Sequence, residues 1–206
     1  MSDDFSNCNV KDFVVSICTR KEISEFIEQW HYSGSINGCM TDYCFKLTYQ
    51  NKIIGAMFYG RMAMANQWKR FGDSPDKVIE LRRLCCVDKT PKNTESFFIG
   101  KSLRWLKSNT SIEVVVSYAD AEYGHTGTIY KASNFTYLGF KKGAKVILYD
   151  GKKYHDKAIR TKYKGELKPF AKRLKNALES GNATYTETLG KHTYIFSLAS
   201  RVRAGT

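Results

Sequence analysis

The segment that most constrains the fold runs from Val78 to Ser117. Val78–Val87 is a β-rich apolar run that one Glu and two Arg residues interrupt, and a polar loop, Asp88–Glu95, follows it. Ser96–Lys107 has the apolar spacing of an amphipathic helix, and Ile112–Ser117 resembles a second strand. The order strand, loop, helix, strand is a crossover unit, which implies a parallel or mixed sheet with ligands at the strand ends.

The start of this predicted helix has the chemistry of an anion site. Its first backbone N–H groups lack partners within the helix and could receive an anion such as a pyrophosphate. An ordinary crossover with an ordinary helix cap explains the same residues, and the segment taken alone favours that simpler interpretation.

The remaining elements alternate between helices and strands. Thr19 and Glu22 form a capping-box pattern for a helix over Arg20–Trp30. Gln50–Asn51 predicts a tight turn between two strands. After the crossover we expect a short helix, two strands, a helix and two last strands that form a closing hairpin or end the sheet, at Thr128–Phe135, Thr136–Phe140, Ala144–Tyr149, Leu167–Leu178, Thr184–Leu189 and His192–Leu198.

The net charge of +13 is concentrated toward the C-terminus. Residues 140–206 hold 16 Lys plus Arg against 5 Asp plus Glu, whereas residues 1–139 hold 17 against 15. A basic segment of this kind is typical of a polyanion binder, although a Lys-rich soluble surface has the same composition. Nucleic acid is favoured because aromatic side chains that could stack on bases alternate with the cations, at Tyr149, Tyr154, Tyr163 and Phe170.

Length and composition bound the architecture and the compartment. We predict one domain over residues 1–206, with 150–206 as a basic segment packed on it. No run of eighteen apolar residues occurs, and Met1–Asp4 is acidic without an apolar signal segment, so we expect a cytoplasmic protein with no membrane partner. The six cysteines form no C-x-x-C pair, which predicts reduced cysteines in the core.

Several titratable residues stand where α/β sites form. His31 and Tyr32 lie together in a Gly/Ser-rich loop, where they could act as acid, base or ligand or could simply cap the loop. Asp120 follows a strand, which fits a site residue or a helix cap. Arg82 and Arg83 are adjacent in a strand, so we expect one to point to each face of the sheet.

The element order over roughly Lys11–Tyr149 resembles the GNAT acyltransferase fold. The resemblance implies an α+β domain with a GNAT-like mixed twisted sheet flanked by helices, followed by a basic C-terminal extension. It also implies that a coenzyme A-like donor binds after the fourth strand, here at Val87, Asn93 and Thr94. The usual motif of that loop, Gln or Arg, two residues, Gly, any residue, then Gly or Ala, is absent from Asp88–Gly100.

Four segments in this order resemble the Mom family of bacteriophage DNA-modification proteins. They are Trp30–Ser33, Glu80–Leu84, Ser117–Asp120 and Gly127–Phe135. The resemblance implies an enzyme that converts adenine in phage DNA to a carbamoylmethyl form and thereby protects the DNA from host restriction. It implies acetyl-coenzyme A or a related donor and iron as candidate cofactors, with Tyr32 and Asp120 as iron ligands. The catalytic residues that it implies are His31, Tyr32, Arg82, Asp120 and Tyr130.

An adenine amine inside a duplex is out of reach of a buried site, so the expected partner is double-stranded DNA with a flipped adenine. Candidates for an aromatic base pocket are Trp68, Phe71, Tyr118 and Tyr123. We expect Lys152, Lys153 and Lys157 to contact DNA phosphates. Two alternatives stay open, an ordinary GNAT acyltransferase on a small amine or protein and a non-enzymatic DNA-binding protein, and the sequence leaves a dimer open.

Overall fold

Residues 4–199, which the computed structural model describes, contain four α-helices and twelve β-strands. The strands are β1 Val14–Cys18, β2 Tyr43–Tyr49, β3 Lys52–Gly60, β4 Val78–Cys86, β5 Val114–Asp120, β6 Thr136–Lys142, β7 Lys145–Tyr149, β8 Lys152–His155, β9 Lys162–Tyr163, β10 Glu166–Leu167, β11 Ala183–Glu187 and β12 Gly190–Ser197. The helices are α1 Arg20–Trp30, α2 Thr94–Asn109, α3 Thr128–Ala132 and α4 Pro169–Glu179. Within residues 4–199, no helix has the length and apolar character needed to cross a membrane.

The main sheet has seven strands in the order β1-β2-β3-β4-β5-β12-β6. Strands β1 to β4 pair antiparallel, and β4 pairs with β5 in parallel, so the predicted crossover forms and the sheet is mixed. The predicted turn between β2 and β3 also forms, because Gln50 and Asn51 adopt positive φ angles of 47° and 64°, which match a tight two-residue hairpin. The predicted α+β class with a mixed sheet and flanking helices is confirmed.

The two faces of this sheet are covered by different helices. Helix α1 begins with the predicted capping box, in which Thr19 and Glu22 satisfy each other's backbone N–H groups. Its residues Ile23 and Ile27 are fully buried against side chains of β3 such as Phe58. Helix α2 buries apolar residues of its own in a second cluster with neighbouring positions of β3, because successive side chains of a strand point to opposite faces.

The chain divides into two compact units. The first comprises the residues up to Ala119, His125–Gly139 and the residues from His192 onward. The second comprises Asp120–Gly124 and Phe140–Lys191. It contains a three-stranded sheet in the order β11-β7-β8, the hairpin β9-β10 and helix α4, around a small core of Ile147, Leu174, Ala177 and Ala183.

The last two strands do not form a hairpin with each other. Strand β11 pairs with β7, whereas β12 lies between β5 and β6 in the main sheet. Thr188 follows β11, and its N–H still bonds the Ala144 carbonyl. The chain then turns at Gly190, where a φ of 108° would strain any residue with a side chain. The end of the chain therefore contributes a strand to the main sheet rather than a closing hairpin.

All six cysteines are unpaired, as expected for reduced thiols. Cys39, Cys44 and Cys85 are buried. Burial raises the pKa of Cys85 to about 12, so this thiol stays protonated and behaves as a small apolar side chain.

Candidate functional site

The candidate site lies where β4 and β5 separate. The two strands pair only from Val78 with Val114 to Leu81 with Ser117, although both continue beyond that point. At the last pair, the Ser117 hydroxyl donates to the Leu81 carbonyl over 3.3 Å. We call this point the fork. A fork between parallel strands leaves room for a ligand at their carboxyl ends.

A β-bulge at Arg82 shapes one side of the fork. The register of β3 against β4 passes from Tyr59 opposite Leu81 to Phe58 opposite Arg83, so Arg82 is the extra residue. A bulge of this kind bends the strand and redirects side chains, and it is frequent next to active sites.

The bulge overturns the expectation that Arg82 and Arg83 point to opposite faces. Arg83 is opposite Phe58, which packs on α1. Glu80 is opposite Gly60 on the same face, and Arg82 Nη1 lies 3.6 Å from Glu80 Oε2. Both arginines therefore lie on the α1 face, because the extra residue interrupts the alternation of the strand.

Neither guanidinium is fully satisfied. Arg82 Nη1 donates to the Arg61 carbonyl and Arg83 Nη1 donates to the Arg82 carbonyl, each over 2.8 Å. The Nε atoms of both are buried and have no hydrogen-bond partner among residues 4–199. A buried donor without a partner within the protein is costly, so an ordered water or a bound group is the expected acceptor at each Nε.

His31 follows α1 directly, and its backbone N–H still bonds the Ile27 carbonyl. The ring is 7% exposed, and the backbone N–H of Ser33 donates to its Nδ1 over 3.1 Å. Burial lowers the His31 pKa to about 4, and the charges of Arg83 and His125 act in the same direction. The ring is therefore neutral near pH 7. Its Nδ1 also lies 2.8 Å from the Ser33 hydroxyl, so the position of the ring proton depends on whether Nδ1 donates to that hydroxyl or accepts from the Ser33 backbone N–H.

The loop from His31 to Asp42 is held against the sheet. Arg20 Nη1 donates to the Cys39 carbonyl and Arg20 Nη2 to the Ile36 carbonyl, each over 3.0 Å. Gly60 permits close approach, since a Cβ at this position would overlap the Met40 carbonyl. These contacts fix the segment that carries His31 and Tyr32.

The two predicted site tyrosines, Tyr32 and Tyr130, lie in different environments. The Tyr32 ring is 47% exposed and lies 4.1 Å from the His31 ring and 5.1 Å from the His125 ring, measured between centroids. Tyr130 belongs to the core, and burial raises its pKa to about 12, which a hydrogen bond with Ser117 partly offsets. The Tyr130 phenol thus stays protonated at the fork, and Tyr32 is open to solvent.

Asp120 is the last residue of β5 and belongs to the second unit. One carboxylate oxygen accepts from the Glu122 N–H over 3.1 Å, and the other lies 2.9 Å from Lys191 Nζ. Asp120 therefore serves as the cap of a short 3₁₀ helix, Ala121–Tyr123. Its convergence with Tyr32, which lies in the first unit, stays a prediction.

The iron expectation finds no support in the donor groups. Residues 4–199 contain no cluster of three or more His, Cys, Asp or Glu side chains suited to a metal. Both oxygens of Asp120 already have partners within the protein. These donors do not fit an iron centre, and no step of the chemistry is assigned to one.

A groove of about 610 Å³ runs along α2. Asn93 lies at the start of the groove and caps the N-terminus of α2. It has the left-handed conformation, with φ at 72°, and its side chain forms no hydrogen bond to the helix. Gly100 widens it, since a Cβ there would meet open space. The residues that line it from α2 and the loop before it are Asn93, Ser96, Phe97, Gly100, Leu103, Arg104 and Lys107.

The residues predicted for the donor fall in three environments. Asn93 lines the groove. The N–H of Val87 instead bonds the Ile54 carbonyl over 2.9 Å. Thr94 is buried, and its hydroxyl donates to the Pro91 carbonyl over 2.7 Å. The groove adds Arg104 and Lys107, which sequence reasoning missed although both lie on the predicted helix.

Of the aromatic residues predicted for the base pocket, Tyr118 is held most firmly. Gln67, in a 3₁₀ helix over Gln67–Arg70, donates to the Tyr118 hydroxyl over 2.7 Å. Burial raises the Tyr118 pKa, and the charge of Glu80 adds to this effect. Trp68 and Phe71 are half-buried, and Tyr123 is exposed in the second unit.

The lysines predicted to contact DNA lie in the second unit. Lys153 is ion-paired with Glu122. Lys152 and Lys157 are exposed, and within residues 4–199 neither takes part in an ion pair. Sequence reasoning missed two residues of the first unit that contact predicted site residues, Gln67 at Tyr118 and His125 at Tyr32.

Comparison with solved structures shows the fold. A putative acetyltransferase from Acinetobacter baylyi is 11% identical, with a TM-score of 0.54 over 94% of this chain and 97% of that chain. The ribosomal-protein-S18-alanine N-acetyltransferase of Escherichia coli is 9% identical, with a TM-score of 0.51 over 94% and 99%. A GNAT-family acetyltransferase from Streptococcus pneumoniae is 8% identical, with a TM-score of 0.51 over 91% and 99%. The fold is that of the GNAT acetyltransferases.

Sequence comparison identifies the family. The protein named methylcarbamoylase mom of Escherichia phage Mu is 32% identical over 107 residues, which are 50% of this chain and 44% of that protein. The matched part is thus less than half the length of that relative. The model of the Mom protein family matches residues 12–206. The chain therefore belongs to the Mom protein family.

Proposed function

We propose that this protein is a transferase that converts adenine in double-stranded DNA to carbamoylmethyl-adenine and so protects phage DNA from host restriction. Membership of the Mom family and the name of the phage Mu relative support this proposal. The observation that carries it is the pair of buried Nε donors of Arg82 and Arg83, which have no partner among residues 4–199, together with the neutral ring of His31, whose pKa the charge of Arg83 helps to lower. Hydrogen-bond donors that the fold holds in place suit a carbonyl group on which negative charge develops.

His31 is proposed as a hydrogen-bond donor rather than a base. The proposal takes the tautomer in which Nδ1 accepts from the Ser33 backbone N–H and Nε2 carries the proton that faces a substrate. The depressed pKa keeps the ring neutral, which suits a donor to a carbonyl oxygen. Arg82 lies on the α1 face of the sheet, and its guanidinium is ion-paired with Glu80.

Tyr32, Asp120 and Tyr130 complete the proposed catalytic set. Tyr32 is exposed and its ring contacts the His31 ring at a tilt, a position from which its hydroxyl can reach a substrate. Asp120 supplies a carboxylate at the end of β5 for transfer of the amine proton, and it is ion-paired with Lys191. Tyr130 stays protonated and positions Ser117 at the fork.

An acyl-coenzyme A, with acetyl-coenzyme A as the specific candidate, is proposed as the donor. The groove along α2 fits such a group, because it combines a helix N-terminus with the cations Arg104 and Lys107 and has room at Gly100. When bound, the donor would supply the two carbon atoms of the carbamoylmethyl group. The amide nitrogen, and the oxidation that joins the methylene carbon to adenine, come from further reactants, and no step that uses them is assigned to the chain. The chain's own part is to hold the anionic portion at Asn93 and along α2.

The DNA partner is proposed to bind through the basic second unit, with the target adenine flipped out of the duplex. Tyr118, fixed by Gln67, is the strongest candidate for a stacking contact with the flipped base in the first unit. Because phage DNA is the proposed substrate, we propose that the protein acts in the cytoplasm of the host cell.

Mass spectrometry of nucleosides tests the proposal. DNA from cells that express the chain is digested and compared with DNA from cells that express the vector alone. A deoxyadenosine heavier by one carbamoylmethyl group is expected. Unmodified DNA together with a new acylated amine or protein would instead select an ordinary GNAT acyltransferase, and unmodified DNA with tight DNA binding alone would select a non-enzymatic binding protein.

A further inference from the structure

The second unit carries a short, exposed β-hairpin. Strands β9 and β10 pair Tyr163 with Glu166 and Lys162 with Leu167. The two turn residues, Lys164 and Gly165, have φ angles of 49° and 85°. Two consecutive positive φ angles are those of the tight turn that matches the twist of a hairpin, so the tip has a defined shape.

The base of the hairpin is anchored although its tip is not. The Lys168 N–H donates to the Thr161 carbonyl over 2.9 Å, which closes the hairpin. A 3₁₀ helix precedes the hairpin and α4 follows it, and their residues Ile159 and Phe170 pack against the core of the second unit. All residues from Thr161 to Glu166 are exposed.

Tyr163 at this tip is 66% exposed. The nearby cations are Lys162, Lys164 and Lys168, and none of them takes part in an ion pair within the described part of the chain. Lys164 Nζ lies 5.7 Å from the centroid of the Tyr163 ring. A single exposed aromatic ring is ordinary, but an aromatic ring on an anchored hairpin with three unpaired cations has the composition of a surface that stacks on bases and contacts phosphates.

We propose that Tyr163 stacks on an unstacked base of duplex DNA while Lys162 and Lys164 contact the adjoining phosphates. The inference rests on the proposed function, because flipping an adenine leaves an unstacked step in the duplex that an aromatic ring can fill. The hairpin is thus assigned to recognition of opened DNA and not to the chemistry of the base.

Binding of the full chain to two fluorescent duplexes at several salt concentrations tests this assignment. One duplex is intact, and the other has an abasic site opposite thymine. Tyr163→Ala is expected to weaken binding to the abasic duplex by at least about fivefold and to leave the salt dependence unchanged, whereas Tyr163→Phe retains the wild-type affinity. Lys162→Ala combined with Lys164→Ala is expected to lower the log–log salt slope by about two on both duplexes.

Tyr185→Ala is the matched control, because Tyr185 is a 44% exposed tyrosine of the same unit with Lys145 Nζ 3.9 Å from its ring centroid. Equal loss with Tyr163→Ala and Tyr185→Ala, or no loss with Tyr163→Ala, overturns the assignment. So does a single-stranded RNA that competes as well as the abasic duplex. Nucleoside mass spectrometry reads the proposed function separately, since it reports modification and not affinity for abasic DNA.

Discussion

The backbone N–H of Ser33 donates to Nδ1 of His31 over 3.1 Å. A backbone amide always donates, so this contact favours the neutral tautomer that carries its proton on Nε2, while the Ser33 hydroxyl lies 2.8 Å from the same Nδ1. The same histidine is buried at the end of α1, where the charge of Arg83 helps to lower its pKa. His31 therefore acts in this account as a fixed donor, and the loop that carries it is part of the catalytic architecture.

The first prediction concerns the pH dependence of modification. Because the His31 pKa is about 4, the ring does not change charge between pH 5.5 and 8, and the rate should show no inflection near the ordinary histidine value of 6.5. His31→Gln keeps a side-chain N–H donor and should retain more activity than His31→Ala, which we expect to lose about 100-fold or more. A rate that falls with a midpoint near 6.5 in the wild type but not in His31→Gln contradicts the donor role.

The second prediction concerns acid stability. His31 has a folded pKa of about 4 against an ordinary value of 6.5, so its favourable contribution is complete above pH 6.5 and is lost as the pH falls toward 4. In that window the unfolded chain binds a proton that the folded chain does not. The free energy of unfolding of the wild type should fall more than that of His31→Leu, with a slope difference that approaches about 1.4 kcal/mol per pH unit near pH 5. Urea denaturation at pH 7, 6 and 5 measures the difference, and parallel pH curves for the two proteins would refute it.

The third prediction concerns the groove along α2. Gly100→Trp should fill the groove and weaken acetyl-coenzyme A binding at least tenfold, whereas Gly100→Ala should leave binding intact and stabilise the helix by about 1 kcal/mol. Calorimetric titration with acetyl-coenzyme A measures the first effect, and thermal denaturation measures the second. Unchanged affinity in Gly100→Trp means that the donor binds elsewhere.

The fourth prediction separates the three lysines that the sequence nominates for DNA binding. Lys153 is held by Glu122, whereas Lys152 and Lys157 have no such pairing within residues 4–199. Lys152→Ala combined with Lys157→Ala should lower the salt slope of DNA binding by about two, and Lys153→Ala alone should change it less than either of these lysines alone. The largest loss of slope in Lys153→Ala would contradict this ranking.

The fifth prediction tests the pairing of Tyr32 with Asp120. If the two share a proton, Tyr32→Phe and Asp120→Ala should each abolish modification in the folded protein, and chelation should leave the wild type active. Loss of activity on chelation, or a lower metal content in Tyr32→Phe, would contradict this assignment. So would an experimental structure that places the Tyr32 hydroxyl more than about ten ångströms from the Asp120 carboxylate.

The sequence predicted most of the main sheet because its signals are local. The capping box at Thr19 and the turn at Gln50 depend on residues a few positions apart, and both form. The crossover from β4 to β5 forms for the same reason, since its helix has a clear apolar spacing. The family resemblance then placed His31 and Arg82 in one site, which spacing alone does not do.

What the sequence missed depends on contacts between distant segments. The bulge at Arg82 follows from the register of β3 against β4, which no local pattern records, and it turns both arginines to one face. The insertion of β12 between β5 and β6 likewise depends on competition between strands that are far apart in the chain. The contact between the Ser33 backbone N–H and His31 could not be predicted either, because every residue type except proline has this group and only the folded loop brings it to the ring.

The most direct test of the central claim is nucleoside mass spectrometry of DNA from cells that express the wild type, His31→Ala or His192→Ala. His192 is a histidine of the same unit whose ring bonds the Tyr137 hydroxyl and lies outside the proposed catalytic set, so it is the matched control. Circular dichroism and thermal denaturation of the purified proteins confirm that all three are folded. The account predicts carbamoylmethylated deoxyadenosine with the wild type and His192→Ala and none with His31→Ala. The same level of modified deoxyadenosine with His31→Ala as with the wild type would contradict it.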